Sequence, residues 1–125
     1  MNRQFDYANV KNPEYFCDGR MEAYSDHAYY ASETDMVDGE SLFAESLNGI
    51  WKFHYARNYD AVVRGFEKEE YCCASWDDIR VPAHIQMEGY DVPQYANTQY
   101  PWEGREDIRP GEIPEYFNPV ASYVK

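Results

Sequence analysis

Cysteine, basic residues and long apolar runs are all scarce in this chain of 125 residues, and each shortage excludes a class of protein. The three cysteines, Cys17, Cys72 and Cys73, are odd in number and badly spaced for a disulfide framework or a zinc site, so we expect free, mostly buried thiols. No stretch approaches the roughly 20 apolar residues of a membrane helix, and the N-terminus lacks the apolar core of a signal peptide. We therefore expect a soluble, cytoplasmic protein.

The shortage of basic residues also limits the partners. Eleven Lys and Arg stand against 23 Asp and Glu, which gives a net charge of -12. Such a surface repels nucleic acid and anionic membranes, so we expect neither as a partner. His27, His54 and His84 are scattered without a metal-binding pattern.

Local catalytic motifs are missing as well. The sequence has no Gly-x-Ser-x-Gly nucleophile motif and no phosphate-binding glycine loop. A pair among the 23 carboxylates could in principle act on a glycosidic bond. Surface solvation explains nearly all of these carboxylates, so the sequence does not predict an enzyme that works alone.

The first 40 residues differ from the rest of the chain. They hold nine acidic residues against three basic ones, with aromatic residues between them and no clear periodicity. A disordered tail would contain fewer aromatics. We predict that residues 1–40 form an extended N-terminal arm that packs its aromatics onto something else.

Folded-domain signals begin after residue 40. Asn48-Gly49 is a turn dipeptide, and the alternation that follows predicts a strand over 50–55 with Trp51, Phe53 and Tyr55 on one face. We also predict strands over 76–81 and 120–124, and a short helix over 61–70 capped by Asp60. Three strands do not close a β-sandwich, and the last one would lack partners, so we expect the chain to be a fragment.

The segment from residue 82 to 119 contains six of the seven prolines and little regular pattern. A loop this long in a compact domain is usually functional or docked onto a neighbour. Its amides and aromatic rings are the groups that bind sugars, by hydrogen bonding and by stacking on pyranose faces. Sugar binding and a tightly packed structural loop both remain open from the residue types alone.

Ordered motifs in this loop and upstream of it resemble the β-galactosidases of glycoside hydrolase family two. In that family a strand ends in Val-Pro and continues through Gln-Met/Leu and Gly-Tyr to Pro-x-Tyr-x-Asn-x-x-Tyr-Pro. The matching residues here are Val81-Pro82, Gln86-Met87, Gly89-Tyr90 and Pro93-x-Tyr95-x-Asn97-x-x-Tyr100-Pro101. Three further matches are Asn12-Pro13 with Arg20, the run 46–53 (Ser-Leu-Asn-Gly-Ile-Trp-Lys-Phe), and the run 118–123 with Ala121 where Gly is usual.

The resemblance implies a fold and a place in a larger enzyme. It implies a mostly β fold in which residues 41–125 are the first part of the N-terminal sugar-binding domain, an incomplete jelly-roll β-sandwich of the galactose-binding-domain-like type, truncated at its C-terminus. An immunoglobulin-like domain and a TIM barrel would follow. A TIM barrel needs about 250 residues. Because the family's two catalytic glutamates lie on that barrel, we expect no catalytic residue in this chain and no activity from the fragment alone.

The resemblance also implies one site in this chain. The family's Tyr-x-Asn asparagine reaches the galactosyl group, which assigns substrate binding to Asn97, with Thr98 beside it. Alternatively, Asn97 forms an Asx turn within its own loop. The family's magnesium and sodium ions belong to the full-length enzyme, and we expect no metal ligand or cofactor in the fragment.

The full-length parent implied by the resemblance is a retaining hydrolase of terminal β-D-galactose residues in lactose-like β-galactosides, commonly a homo-oligomer. Two alternatives remain. One is a fragment of a sibling β-glucuronidase or β-mannosidase, and the other is a stand-alone, non-catalytic carbohydrate-binding module.

Overall fold

A computed structural model describes residues 6–93, 95 and 97–125. Within these residues there are three strands, one α-helix and two 3-10 helices. The strands are β1 (Gly49–Ala56), β2 (Asp77–Val81) and β3 (Val120–Val124), the α-helix is α1 (Glu33–Asp38), and the 3-10 helices are Tyr7–Lys11 and Tyr59–Ala61. The predicted mostly β fold class is confirmed, and all three predicted strands lie where the sequence indicated.

The three strands form an open antiparallel sheet in the order β2-β1-β3. The central strand pairs Trp51 with Ile79 of β2 and Phe53 with Tyr123 of β3. Gly49 begins β1 with a φ of +134°, a backbone conformation that favours glycine and explains the Asn-Gly turn before the strand. The sheet therefore holds β1 between two partners that are distant in sequence.

One face of the sheet carries the aromatic row that the alternation predicted. Phe53 is fully buried, and its ring centroid lies 4.6 Å from that of Tyr90 and 4.9 Å from that of Tyr123. Trp51 is half-buried and meets the edge of Tyr123 at 6.4 Å. The anchor of this face is therefore Phe53, because its whole side chain is removed from water.

A second aromatic cluster lies on the opposite face. Trp76, which is buried, lies 5.2 Å from His54, 5.4 Å from Phe66 and 5.8 Å from Tyr71 between ring centroids. Its indole N–H donates to the Tyr71 hydroxyl at 3.2 Å. The segment between β1 and β2 thus folds back over the sheet and covers Trp76.

The predicted helix over 61–70 is wrong. The 3-10 helix Tyr59–Ala61 is capped by Asn58, whose side chain accepts from the Ala61 N–H, and not by Asp60. Beyond it the chain forms turns and bends. Gly65 has a φ of +78°, a left-handed conformation that a continuing helix cannot contain. The turn at Gly65 instead directs Phe66 towards Trp76.

The cysteines are free, as expected, but the expectation that they are mostly buried is wrong. Cys17 and Cys72 are exposed, and Cys73 is half-buried. Cys72 and Cys73 lie in the turn-rich connection ahead of β2, outside the sheet that provides burial.

The N-terminal segment, residues 6–47, packs on the sheet at few points. The Tyr7 ring stacks on Tyr59 with centroids 3.9 Å apart, and the Asn118 amide donates to the Tyr7 hydroxyl at 3.1 Å. Most other large apolar side chains of this segment are exposed. The extended arm and the boundary at residue 41 stay predictions.

None of the helices in the described part of the chain has the length and apolar character needed to span a membrane.

Candidate functional site

The loop that carries the candidate residues leaves the sheet at the end of β2. Two contacts hold its first turn against that strand: the Tyr90 hydroxyl donates to Asp77 at 2.9 Å, and Arg80 pairs with Glu88 at 2.7 Å. Burial raises the pKa of Tyr90 above its ordinary value, and the hydrogen bond to Asp77 raises it further. The beginning of the loop is therefore fixed by the same tyrosine that packs on Phe53.

Asp91 follows with a φ of +60°, in the left-handed region that Asp tolerates better than most residues. Burial raises the pKa of the Tyr55 hydroxyl, and the charge of Asp91 and its hydrogen bond to Tyr55 raise it further. This bond ties the next part of the loop to β1, at the opposite end of the strand from Gly49.

Asn97 and Thr98 lie together in an exposed turn in the middle of the loop. Two residues before Asn97, the ring centroid of Tyr95 lies 6.3 Å from that of Tyr100. Residues 94 and 96 lie outside the described residues. Because the Asn97 and Thr98 side chains are open to solvent, a ligand can reach both.

A short turn after Thr98 is organised by Glu103. Its carboxylate accepts the Tyr100 N–H at 3.1 Å, and its backbone N–H donates to the Tyr100 carbonyl at the same distance. The Gln99 side chain donates to the Glu103 carbonyl at 3.0 Å. The residues directly after the candidate pair are thus held by hydrogen bonds within the loop.

The end of this turn is attached to the segment that precedes β3. The carboxylate of Glu106 accepts the backbone N–H groups of Glu115 at 2.7 Å, Tyr116 at 3.1 Å and Phe117 at 3.4 Å. Burial raises the pKa of Glu106, but these three donors together lower it, and the net shift is downward. The attachment is therefore present when Glu106 is ionised and is lost as the pH falls through its lowered pKa.

Two cavities lie along the loop. One of about 350 Å³ is lined by residues that include Gln86, Asp91, Trp102 and Asn118, and one of about 680 Å³, open to solvent, is lined by residues 100–108. The first combines an indole ring, amides and a carboxylate, which are the groups that bind sugars. Neither cavity is lined by Asn97 or Thr98, so the structure does not bring the two candidate residues into either of them.

No three His, Cys, Asp or Glu side chains within the described ranges lie close enough together to hold a metal ion. Sequence reasoning missed Glu103 and Glu106. Neither belongs to a motif, and their partners are backbone N–H groups, which leave no signal in the residue types.

The chain matches the model of the glycosyl hydrolases family 2 sugar binding domain over residues 44–125. It is 47% identical over 117 residues to a β-galactosidase of Halalkalibacterium halodurans and 42% identical over 116 residues to one of Streptococcus thermophilus, with 93% of this chain covered in each case. A β-galactosidase large subunit of Latilactobacillus sakei is 38% identical over 127 residues.

The chain spans only a small share of these relatives, 12% of the first, 11% of the second and 20% of the large subunit. The motifs in 46–53 and 81–101 that suggested the resemblance lie within the matched region. The family model covers more than half of the chain, so this chain belongs to glycosyl hydrolases family 2, through the sugar binding domain of that family.

Proposed function

We propose that this chain is the N-terminal sugar-binding part of a full-length β-galactosidase. The observation that carries the proposal is the 47% identity over 93% of the chain to a protein named β-galactosidase. The full-length protein would hydrolyse terminal β-D-galactose residues from β-galactosides with retention of configuration, through a covalent galactosyl-enzyme intermediate. The two catalytic carboxylates and any magnesium or sodium ligands would come from outside these 125 residues.

In this proposal Asn97 binds a hydroxyl of the galactosyl group, and Thr98 supports it. An asparagine amide both donates and accepts hydrogen bonds, so it can bind a sugar hydroxyl in either sense. The exposed turn makes both side chains available, while the loop on either side is tied to the sheet and to the segment before β3.

Replacing Asn97 in the full-length protein tests this role. Losing a hydrogen bond that leaves a buried partner unsatisfied costs about 1–3 kcal/mol. Asn97→Ala should therefore lower kcat/KM for a nitrophenyl β-D-galactoside roughly 5- to 150-fold, with a nearly unchanged melting temperature. Gln99→Ala is the matched control, because its amide bonds only within the loop among the contacts described. An Asn97→Ala protein that melts early but keeps full activity when folded would show that Asn97 only structures its loop.

Substrate class can be checked with the same protein. We expect turnover of the β-galactoside and none of the corresponding β-glucuronide or β-mannoside. Purified residues 1–125 should give no turnover of any of the three. Preference for one of the other two sugars would replace the galactosidase proposal with a sibling glycosidase.

We also propose that the full-length protein is a homo-oligomer. Apolar side chains of the N-terminal segment support this, since Phe16, Leu42 and Phe43 are exposed in the isolated chain. Light scattering on the eluting full-length protein measures its mass, and a monomer would contradict the proposal.

A further inference from the structure

We propose that Glu106 is a positioning residue, which holds the loop that carries Asn97 in its binding geometry by fixing that loop to the segment ahead of β3. This inference rests on the proposed function and deepens it. Glu106 contacts no substrate in this proposal and acts only through the loop.

The first observation is the number of donors on one carboxylate. Three consecutive N–H groups, those of Glu115, Tyr116 and Phe117, point at Glu106 from 2.7, 3.1 and 3.4 Å. Hydrogen bonds to an ionised acceptor are stronger than neutral ones. A single side chain therefore supplies acceptors to a stretch of backbone that lies in no strand or helix.

The residue beside Glu106 contacts the same segment. The Arg105 guanidinium lies 4.0 Å from the centre of the Phe117 ring, and Phe117 is buried. This cation–π contact and the three hydrogen bonds together attach Arg105 and Glu106 to residues 115–117. The attachment is thus a small interface.

The segment 115–118 is in turn tied to the end of β1. The Asn58 side chain donates to the Glu115 carbonyl at 2.8 Å, and the Asn118 N–H donates to the Arg57 carbonyl at 3.0 Å. Residues 115–118 therefore connect the end of the central strand to Glu106 through hydrogen bonds.

On its other side Glu106 is connected to the turn after Asn97. The backbone N–H groups of Arg105 and Glu106 donate to the Trp102 carbonyl at 2.9 and 3.2 Å, and Glu103 binds Tyr100. Hydrogen bonds thus run from residue 100, three residues after Asn97, to the sheet. A loop that is not held in place must be ordered when the sugar binds, so a loosened loop should weaken galactoside binding.

Glu112 provides a matched control. It is another glutamate of the same loop whose carboxylate accepts a backbone N–H, that of Arg109 at 2.9 Å. It makes one such bond within its own turn, whereas Glu106 makes three across to another segment. A general effect of losing a loop carboxylate should appear at both positions, and a positioning effect only at Glu106.

The experiment uses the full-length enzyme and the non-hydrolysed ligand isopropyl β-D-thiogalactoside. For Glu106→Ala we expect the dissociation constant to rise roughly 10-fold or more, with kcat at saturating nitrophenyl β-D-galactoside within about 3-fold of wild type. Glu106→Gln keeps the shape and one acceptor oxygen, so it should fall between Glu106→Ala and wild type. Glu112→Ala should stay within about 2-fold of wild type on both measurements.

Hydrogen exchange provides a readout that does not depend on turnover. The amides of residues 115–117 should lose protection in Glu106→Ala and keep it in Glu112→Ala. If Glu106→Ala does not fold, Glu106→Gln carries the test, with a measurable rise in the dissociation constant expected. Unchanged galactoside affinity in folded Glu106 variants would overturn the inference, and so would equal losses at Glu106 and Glu112. A wild-type enzyme without turnover of any β-galactoside would instead contradict the proposed function itself.

Discussion

The sheet and the N-terminal segment are both rich in aromatic residues, yet they use these residues in opposite ways. In the sheet, Phe53 is 0% exposed and lies between two tyrosine rings. In the N-terminal segment, Phe16 is 86% exposed. The difference follows from the backbone, because alternation along a paired strand collects side chains on one face, whereas a segment without periodicity presents them in all directions. Aromatic content alone therefore does not indicate a core.

The largest effect that tests this comparison is at Phe53. Phe53→Ala should destabilise the protein by about 3–5 kcal/mol, because it leaves a cavity between β1, Tyr90 and Tyr123. In the isolated chain, where its side chain is exposed, Phe16→Ala should change stability by less than about 0.5 kcal/mol. Urea denaturation of both variants measures the difference, and similar losses would show that Phe16 is buried in the protein in solution.

A smaller effect is expected where the two regions meet. The Trp51 indole N–H donates to the Leu47 carbonyl at 2.7 Å, which joins the end of the N-terminal segment to β1. Trp51→Phe removes this bond and keeps most of the ring, so it should cost about 0.5–1.5 kcal/mol. Thermal melting measures the cost, and a loss of the size expected at Phe53 would mean that Trp51 and not Phe53 anchors the face.

The sheet region should also respond to alkaline pH. Burial and the hydrogen bond to Asp77 raise the pKa of Tyr90 above 10.0, so the neutral hydroxyl stabilises the fold below about pH 10 and loses that contribution as the pH rises further. Tyr90→Phe should therefore cost about 0.5 kcal/mol at pH 7, and the gap to wild type should shrink above pH 10. Stability measured across this range checks the sign, and a gap that widens with pH contradicts it.

The smallest expected effect lies inside the N-terminal segment. Ser32 caps α1 by accepting the Asp35 N–H at 3.2 Å, but no residue of α1 is buried. Ser32→Ala should speed amide exchange in α1 while leaving the melting of the sheet unchanged within about 0.5 kcal/mol. A shift of the global transition would show that α1 is packed onto the rest of the protein.

The sequence predicted the sheet because its signals are local. The Asn48-Gly49 turn and the alternation after it indicate where β1 lies, and Pro82 marks the end of β2. The prediction of a helix over 61–70 failed at Gly65, which has a positive φ. This conformation is set by tertiary packing, because it allows Phe66 to pack on Trp76. The exposure of Cys72 could not be predicted, since it depends on where the connection before β2 folds.

The candidate site likewise contains residues that the sequence indicated and a residue that it did not. Asn97 and Thr98 were found through a motif, and their role in binding stays a prediction. Glu106 could not be found at all, because its partners are three backbone N–H groups that any residues would provide. Such a contact becomes visible only when the chain segments around 106 and 116 are brought together.

The central position of β1 has a consequence for the time course of synthesis. Lys52 of β1 pairs with Asp78 on one side and with Val124 on the other. A ribosome that adds about 5–20 residues per second therefore delivers β3 roughly 2–8 s after β2 is complete. During that interval one edge of β1 lacks the partner that covers it in the finished sheet, and Phe53 lacks the Tyr123 ring. The nascent chain should thus be most open to chaperones in the seconds before residue 124 leaves the exit tunnel.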